Sequence, residues 1–260
     1  YTGEDTLSLH DALPILVNAV SFTGSVATGE RILRSATLRR AKVQLEMGGK
    51  NPLVVLADAD FEQAIDCALQ CSYYSTGQRC TASSRLIVEA PVHEAFVARL
   101  RQRLSTLKVG HVLERGTEMG PVVDSHQLAH NQSYLDIARN EGAEHVWGGE
   151  LLERPTPGHY MSPALFLAQP EHRIAREEVF GPVACVLKAD DYDHALALAN
   201  DTPFGLCAGI CTTSLKRAMH FKRHAAVGMT MVNLPTAGVD FHVPFGGRKE
   251  SSYGPREQGR

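Results

Sequence analysis

Glu46 lies in Leu45-Glu46-Met47-Gly48-Gly49-Lys50, and Cys80 lies in Gly77-Gln78-Arg79-Cys80-Thr81-Ala82-Ser83-Ser84-Arg85. One is a carboxylate able to move a proton and the other a thiol nucleophile. Together they are the minimum equipment for chemistry through a thioester. Gly77, Gln78, Thr81 and Ser83 are small or polar neighbours that leave room for a substrate around Cys80 and offer N–H donors. Arg79 and Arg85 are expected to favour its thiolate. Taken singly, a cysteine in such a loop is more often inert than catalytic, and Glu46 reads equally well as a strand-end carboxylate in water.

A third feature is Phe22-Thr23-Gly24-Ser25, where an apolar run gives way to a helical pattern. Such a turn presents free backbone N–H groups, a hydroxyl and the positive end of a helix dipole, all suited to a phosphate. The same residues also serve a helix as ordinary N-caps. Neither a GxGxxG nor a Walker lysine pattern accompanies the turn, so the phosphate reading needs support from elsewhere.

The elements that must hold these residues alternate between two periods from Val17 onward. Strands are expected at 17–22, 41–46, 53–56 and 86–88, and again at 184–187, 207–211 and 229–232. Between them a helix opens after Ser25 and runs through Gly29-Glu30-Arg31-Ile32-Leu33. A second spans 61–74 with Ala64, Ile65, Ala68, Leu69 and Ser72 at helical spacing, and a third carries Phe96, Val97, Leu100, Leu104 and Leu107. Further helices are expected at 127–140, stopped by Gly142, and at 192–200 and 215–224. Apolar strands alternating with helices predict an α/β fold with a mostly parallel sheet covered on both faces.

At 260 residues and 43% hydrophobic, the chain can fill one large or two modest domains. The formal net charge of -3 is spread along the sequence, with no basic block to attract nucleic acid. Apolar runs are strand-sized, which argues against a membrane span. The six cysteines form no CxxC pair and follow no signal peptide, so reduced thiols in a cytoplasm are expected. Cys67 and Cys71 sit in a helical pattern, and Cys207 and Cys211 alternate along a strand, as buried small hydrophobes do. His126/His130 and His220/His224 lack the HExxH pattern and read as solvated helix faces, so no metal site is expected. Residues 1–15 resemble a translated sequencing adapter and are read as a non-native leader. The last residues, from Tyr253 to Arg260, are expected to end without a closing helix or strand.

Five segments, taken in order, resemble the NAD(P)-dependent aldehyde dehydrogenase superfamily. They are Phe22-Thr23-Gly24-Ser25, Leu45-Glu46-Met47-Gly48-Gly49-Lys50-Asn51-Pro52, Gly77-Gln78-Arg79-Cys80, Glu177-Glu178-Val179-Phe180-Gly181-Pro182 and Pro244-Phe245-Gly246-Gly247. The resemblance covers residues 16–260. Within the superfamily, Ser75 to Arg85, Asn233-Leu234-Pro235-Thr236-Ala237-Gly238 and Pro244 to Lys249 look most like the α-ketoglutaric semialdehyde (2,5-dioxopentanoate) dehydrogenases.

The resemblance implies an α/β, aldehyde dehydrogenase-type catalytic domain at 49–250, a remnant of the Rossmann-like cofactor domain at 16–48, and the start of a C-terminal segment at 251–260. Cys80 matches the nucleophile that adds to an aldehyde, Glu46 the base that activates water against the thioester, and the Cys80 N–H half of an oxyanion hole. NAD or NADP is the implied cofactor. Gly24 and Ser25 match its pyrophosphate contacts, Met47 and Gly48 the nicotinamide side, Glu178 the carboxylate on the nicotinamide ribose, and Phe180 the ring beside the nicotinamide. Glu177 is expected to serve local structure. Phe241 and Phe245 either wall the aldehyde pocket or fill a domain seam, and Arg248 is compatible with an acidic substrate. Family members run to about twice this length and pair as homo-oligomers. This chain is therefore expected to lack the other oxyanion donor, the adenosine-ribose grip and the closing strand used for subunit pairing, and to have little or no dehydrogenase activity by itself. A cofactor-independent thiol esterase using Cys80 and Glu46, and a non-catalytic module, remain as alternatives.

Overall fold

The apolar runs become buried strands because helices cover both of their faces. A computed structural model describes residues 17–256; the leader read at 1–15 lies outside the described residues. The chain runs through β1 (Ala19–Thr23), α1 (Val26–Leu38), β2 (Lys42–Glu46), β3 (Asn51–Val55), α2 (Phe61–Ser72), β4 (Ser83–Glu89) and α3 (Ala90–Thr106). It continues with α4 (Ser125–Asn140), β5 (Glu144–Trp147), β6 (Ala164–Leu167), the single turn α5 (Arg173–Arg176), β7 (Val183–Ala189) and α6 (Tyr192–Asn200). Last come β8 (Phe204–Gly205), β9 (Cys207–Cys211), α7 (Leu215–His224), β10 (Met229–Val232), β11 (Arg248–Lys249) and β12 (Ser252–Tyr253).

The larger sheet has the order β10-β9-β3-β4-β7-β6-β5. It is parallel except at its edge, where β5 runs antiparallel to β6. The two-residue period of the strands divides the core into two layers. Val54, Ile87, Cys185 and Leu187 face one way, against Ala195, Ala199 and Phe221 of α6 and α7. Leu53, Val55, Leu86, Val88 and Val186 face the other way, against Ala64, Ile65 and Ala68 of α2 and Phe96, Leu100 and Leu104 of α3. Each such side chain, taken fully from water, contributes about 1.5–3 kcal/mol before entropy is charged against it. Cys67, Cys71, Cys207 and Cys211 are all buried in this packing, as their spacing predicts.

A smaller sheet has the order β1-β2-β12, with β1 parallel and β12 antiparallel to the central β2. Helix α1 covers it, seating Ile32 and Ala36 on Val43, Leu45 and Met47. Ser25 caps α1 by accepting from Thr28 N at 3.3 Å. The expectation that the chain ends without a strand is corrected here. Ser252–Tyr253 pairs with Glu46 and Leu45, because Ser251 O accepts from Met47 N at 2.8 Å and draws the segment alongside β2. Strands β5 and β6 escape the sequence reading. Each is only four residues long, and β5 is an exposed edge with no buried residue, so neither shows a distinct apolar run.

Lys50 enters β3 with its side chain fully buried and its Nζ without a hydrogen-bond partner. Burial pulls its pKa from 10.5 down to about 8; Arg85 adds to the fall, while Cys185, Glu178 and Glu177 resist it. The unfolded chain therefore binds more protons than the folded one between pH 8 and 10.5. Stability rises with pH across that window, and the full penalty for burying the charge applies below it. Lys50→Met should stabilise the fold at pH 7 by about 1 kcal/mol or more, about 2–4 °C in Tm, and flatten the rise in stability at alkaline pH. Thermal melts at pH 7 and 9 check this; a lower Tm for the variant at pH 7 would show that the amine is held by favourable contacts.

Candidate active site

Parallel pairing of β1 with β2 brings two turns to one edge of the smaller sheet, since Thr23 stands opposite Glu46. Thr23-Gly24-Ser25 leads from β1 into α1, and Met47-Gly48-Gly49 leads from β2 towards β3. Gly24 N donates to Glu46 O at 3.1 Å and ties the turns together. The Cys80 loop arrives from the other side, at the strand ends of the larger sheet. Ser75, Thr76 and Gly77 all take positive φ (55, 59 and 63°), a tight left-handed run that costs energy at the two non-glycine positions. A Cβ on Gly77 would run into the Gly181 carbonyl, so the turn before Cys80 packs directly on the segment after Glu178.

Asn51 fixes the loop. Its Nδ2 donates to Cys80 O at 2.7 Å and Ala82 O at 2.8 Å, and its Oδ1 accepts from Cys207 N at 3.1 Å. The side chain is 1% exposed and all its bonds go to backbone, so it fixes Cys80 against both β3 and β9. The sequence reading quotes Asn51 within a motif but gives it no role; a buried amide at a strand entry has no periodic signature.

These turns enclose a cleft of about 730 Å³. Thr23, Gly24 and Ser25 line one wall, Met47 and Gly48 another, and Gln78, Arg79, Cys80 and Thr81 a third. Glu178, Phe180, Val239 and Phe245 complete it, with Gln127 and His130 from α4. Of the residues singled out by sequence, Cys80, Gly24, Ser25, Met47, Gly48, Glu178 and Phe180 therefore face one cavity. Glu46 does not line it: at 4% exposure it sits beside the cleft, its Oε2 accepting from Ser252 Oγ at 2.6 Å. Phe241 is not among the lining residues and is 83% exposed, whereas Phe245 is part of the wall. His130, expected on a solvated face, is half-buried against the cleft, because it shares a helix face with Gln127. Gln127 Nε2 donates to Val179 O at 2.9 Å and Phe180 O at 3.1 Å, so α4 carries the segment that presents Phe180. Phe180 itself has φ of 55° and is 40% exposed.

The electrostatics correct one expectation. Cys80 is half-buried, and burial pushes its thiol above the ordinary range. The Glu178 charge adds to the rise, the Thr81 and Cys80 backbone N–H groups oppose it, and the Glu46 charge adds again. Neither Arg79 nor Arg85 offsets this. Arg85 is fully buried with its Nη2 on Leu198 O at 3.1 Å, and Arg79 Nη2 is engaged by Ser75 Oγ at 2.5 Å. Glu178 is likewise pushed up by burial, with the Gly49 N–H bond at 2.8 Å pulling back. A Cβ on Gly48 would collide with the Glu178 carboxylate, so that glycine lets the acid lie against the turn. Glu177, by contrast, binds Arg173 at 2.9 Å and Tyr134, the local structural role expected of it.

The donor set suits the dinucleotide that the resemblance implies. The N-terminus of the 13-residue α1 opens to the cleft through Gly24 and Ser25 and would favour a pyrophosphate. The Glu178 carboxylate is an acceptor for ribose hydroxyls, and Phe180 offers a ring face. Among the described residues, no group of three or more His, Cys, Asp or Glu side chains could hold a metal ion.

A model of the aldehyde dehydrogenase family matches residues 14–260. The α-ketoglutaric semialdehyde dehydrogenase of Bacillus subtilis is 43% identical over 97% of this chain and 52% of its own length. An α-ketoglutarate semialdehyde dehydrogenase of Haloferax volcanii is 43% identical over 92% of this chain and 50% of its own. A crystal structure of betaine aldehyde dehydrogenase from Staphylococcus aureus in complex with NAD+ matches with a TM-score of 0.91 and 34% identity, over 94% of this chain and 49% of that one. The chain spans about half the length of these relatives.

With burial and two carboxylates opposing ionisation, alkylation of Cys80 by iodoacetamide should rise with pH through a midpoint above the ~8.5 of free cysteine. Glu178→Gln removes one opposing charge and should lower that midpoint by about half a unit, making alkylation at pH 8 about threefold faster. Peptide mass mapping across a pH series reads this directly, and an unchanged midpoint would mean that the thiol does not feel Glu178.

Proposed function

Because the chain belongs to the aldehyde dehydrogenase family, we propose that the protein oxidises an aldehyde to a carboxylic acid through a thioester on Cys80. The observation that carries this reading is that Cys80, Glu178 and the N-terminus of α1 open onto one cleft, with Glu46 at the adjoining strand end. In this reading residues 16–48 belong to the cofactor domain and 49–250 to the catalytic domain.

The Cys80 thiolate adds to the aldehyde carbon, and the new oxyanion is met by the Cys80 backbone N–H. The thiohemiacetal carbon then loses hydride, leaving a thioester. NAD or NADP, when bound, supplies the hydride acceptor. Gly24 and Ser25 would hold its pyrophosphate, Glu178 its nicotinamide ribose and Phe180, Met47 and Gly48 the ring side. Glu46 takes a proton from water, the hydroxide adds to the acyl carbon, the C–S bond breaks, and acid and Cys80 thiolate separate.

The substrate we infer is a carboxylate-bearing aldehyde of the α-ketoglutaric semialdehyde kind. Two of the relatives named above carry that activity in their names. Independently, Arg79 is the cation that lines the cleft beside Cys80 and suits a carboxylate.

An aldehyde that forms a reversible thiohemiacetal shields the thiol, so the reading can be tested on this chain without cofactor. α-Ketoglutaric semialdehyde should protect Cys80 from iodoacetamide at about tenfold lower concentration than the cationic betaine aldehyde, and Arg79→Gln should erase most of that difference. Equal protection by both aldehydes would reject the substrate assignment. No protection by either would reject Cys80 as the aldehyde nucleophile.

A further inference from the structure

Ser252 stands opposite Glu46 in the β2–β12 pair. Its Oγ accepts from Gly247 N at 2.6 Å and lies 2.6 Å from Glu46 Oε2. With the backbone N–H already bound to the oxygen, the one hydroxyl hydrogen is free to point at the carboxylate. A charged Glu46 satisfies every group in this chain of bonds, whereas a protonated one would leave a hydroxyl hydrogen without an acceptor. The other carboxylate oxygen, Oε1, lies close to Gly246, where a Cβ would approach it to 3.2 Å. Glu46 is thus seated in a notch made by Gly246, Gly247 and Ser252, 4% exposed and off the cleft that Cys80 lines.

We propose that the Ser252 hydroxyl is a positioning device that holds Glu46 charged and retracted, and so sets how much of the base is free to serve Cys80. This rests on the reading of Cys80 as nucleophile and Glu46 as base. The titratable groups around Glu46 are Cys80 and Glu178 on the cleft side and Arg256, whose stem packs on Gly246 and whose Nη1 binds Gly228 O at 3.0 Å. β1 brings none, α1 presents Glu30, Arg31 and Arg34 to solvent, and β12 brings Tyr253, which pairs with Leu45.

The consequence is a specific pH signature. Only a charged Glu46 turned into the cleft can take a proton from the attacking water, while the Ser252 bond stabilises only the charged, retracted form. Such a bond lowers the plateau rate and the midpoint of the pH profile by the same factor. It leaves the acid limb unchanged, where most of the base is protonated and the latch has nothing to hold.

The test uses this chain and 4-nitrophenyl acetate. The Cys80 thiolate attacks the ester carbonyl, 4-nitrophenolate leaves, and loss of the acetyl group to water is followed by intact mass from pH 5 to 10. In Ser252→Ala the plateau of deacylation should rise on the order of tenfold and its midpoint by about one pH unit, with the acid limbs superimposed. Ser252→Thr, which keeps the hydroxyl, should restore the parent profile. A profile unchanged in Ser252→Ala, or one scaled by a constant factor at every pH, would overturn the proposal. Failures of the underlying reading look different. Deacylation in Glu46→Gln that matches the parent chain removes Glu46 as the base, and an acetyl group that fails to load on Cys80 removes the nucleophile, and the proposal falls with either.

Discussion

Asn51 opens β3 with a side chain that is 1% exposed and bonded to three backbone groups from two other segments. An amide buried without those partners would cost a few kcal/mol, so the carbonyls of Cys80 and Ala82 and the N–H of Cys207 are held wherever Asn51 is held. The position of Asn51 is itself fixed by β3, which lies inside the larger sheet between β4 and β9. The reactive loop thus inherits the rigidity of the core. This allows the strained left-handed run at Ser75 and Thr76 to persist, because strain of this kind survives only where the surroundings over-determine it.

A thiol beside two carboxylates is an arrangement that electrostatics opposes, and the structure manages the two acids by different means. Glu178 is met by the Gly49 N–H and lies directly on the cleft, where its charge and burial raise the Cys80 pKa. Glu46 is turned away from the cleft and met by the Ser252 hydroxyl. A dinucleotide's ribose would occupy the Glu178 oxygens, while the Glu46 oxygens stay within reach of water near Cys80. The separation of roles follows from geometry, not from any difference between the two side chains. Cys80 then depends on local N–H groups, its own and that of Thr81, to become a thiolate, since the neighbouring arginines are engaged elsewhere.

Much of this architecture is legible in the sequence because burial on both faces leaves unbroken apolar runs. The strands at Cys207–Cys211 and Met229–Val232 and the helices at Tyr192–Asn200 and Leu215–His224 end where their patterns end. β4 is harder, since Ser83, Ser84 and Arg85 precede its apolar centre; it reads as three residues and is seven. β5 and β6 have too little contrast to be read at all. Within the site, residues with a side chain suited to one kind of chemistry, Cys80 and Glu178, fall on the cleft. Residues whose work is geometric are silent. Asn51, Gln127 and Ser252 act through single hydrogen bonds to segments distant in sequence, and no local pattern encodes a partner that lies 206 positions away, as Glu46 does from Ser252.

The order of strands in the smaller sheet explains why the base strand is controlled from the far end of the chain. β2 is central, with β1 parallel on one side and β12 antiparallel on the other. The β1 side delivers the turn at Gly24 and Ser25, and the β12 side delivers Ser251 and Ser252. Ser251 O takes the N–H of Met47, while its hydroxyl accepts from Gly205 N at 3.0 Å in the larger sheet's territory. One pair of adjacent serines therefore stitches the two sheets together and meets the carboxylate at their seam. A strand end that carries a proton-transfer group must be held firmly enough to aim it and loosely enough to let it turn. A two-residue strand meets both needs, because it fixes the β2 backbone through few bonds and leaves the side chain of Glu46 restrained chiefly by a hydroxyl.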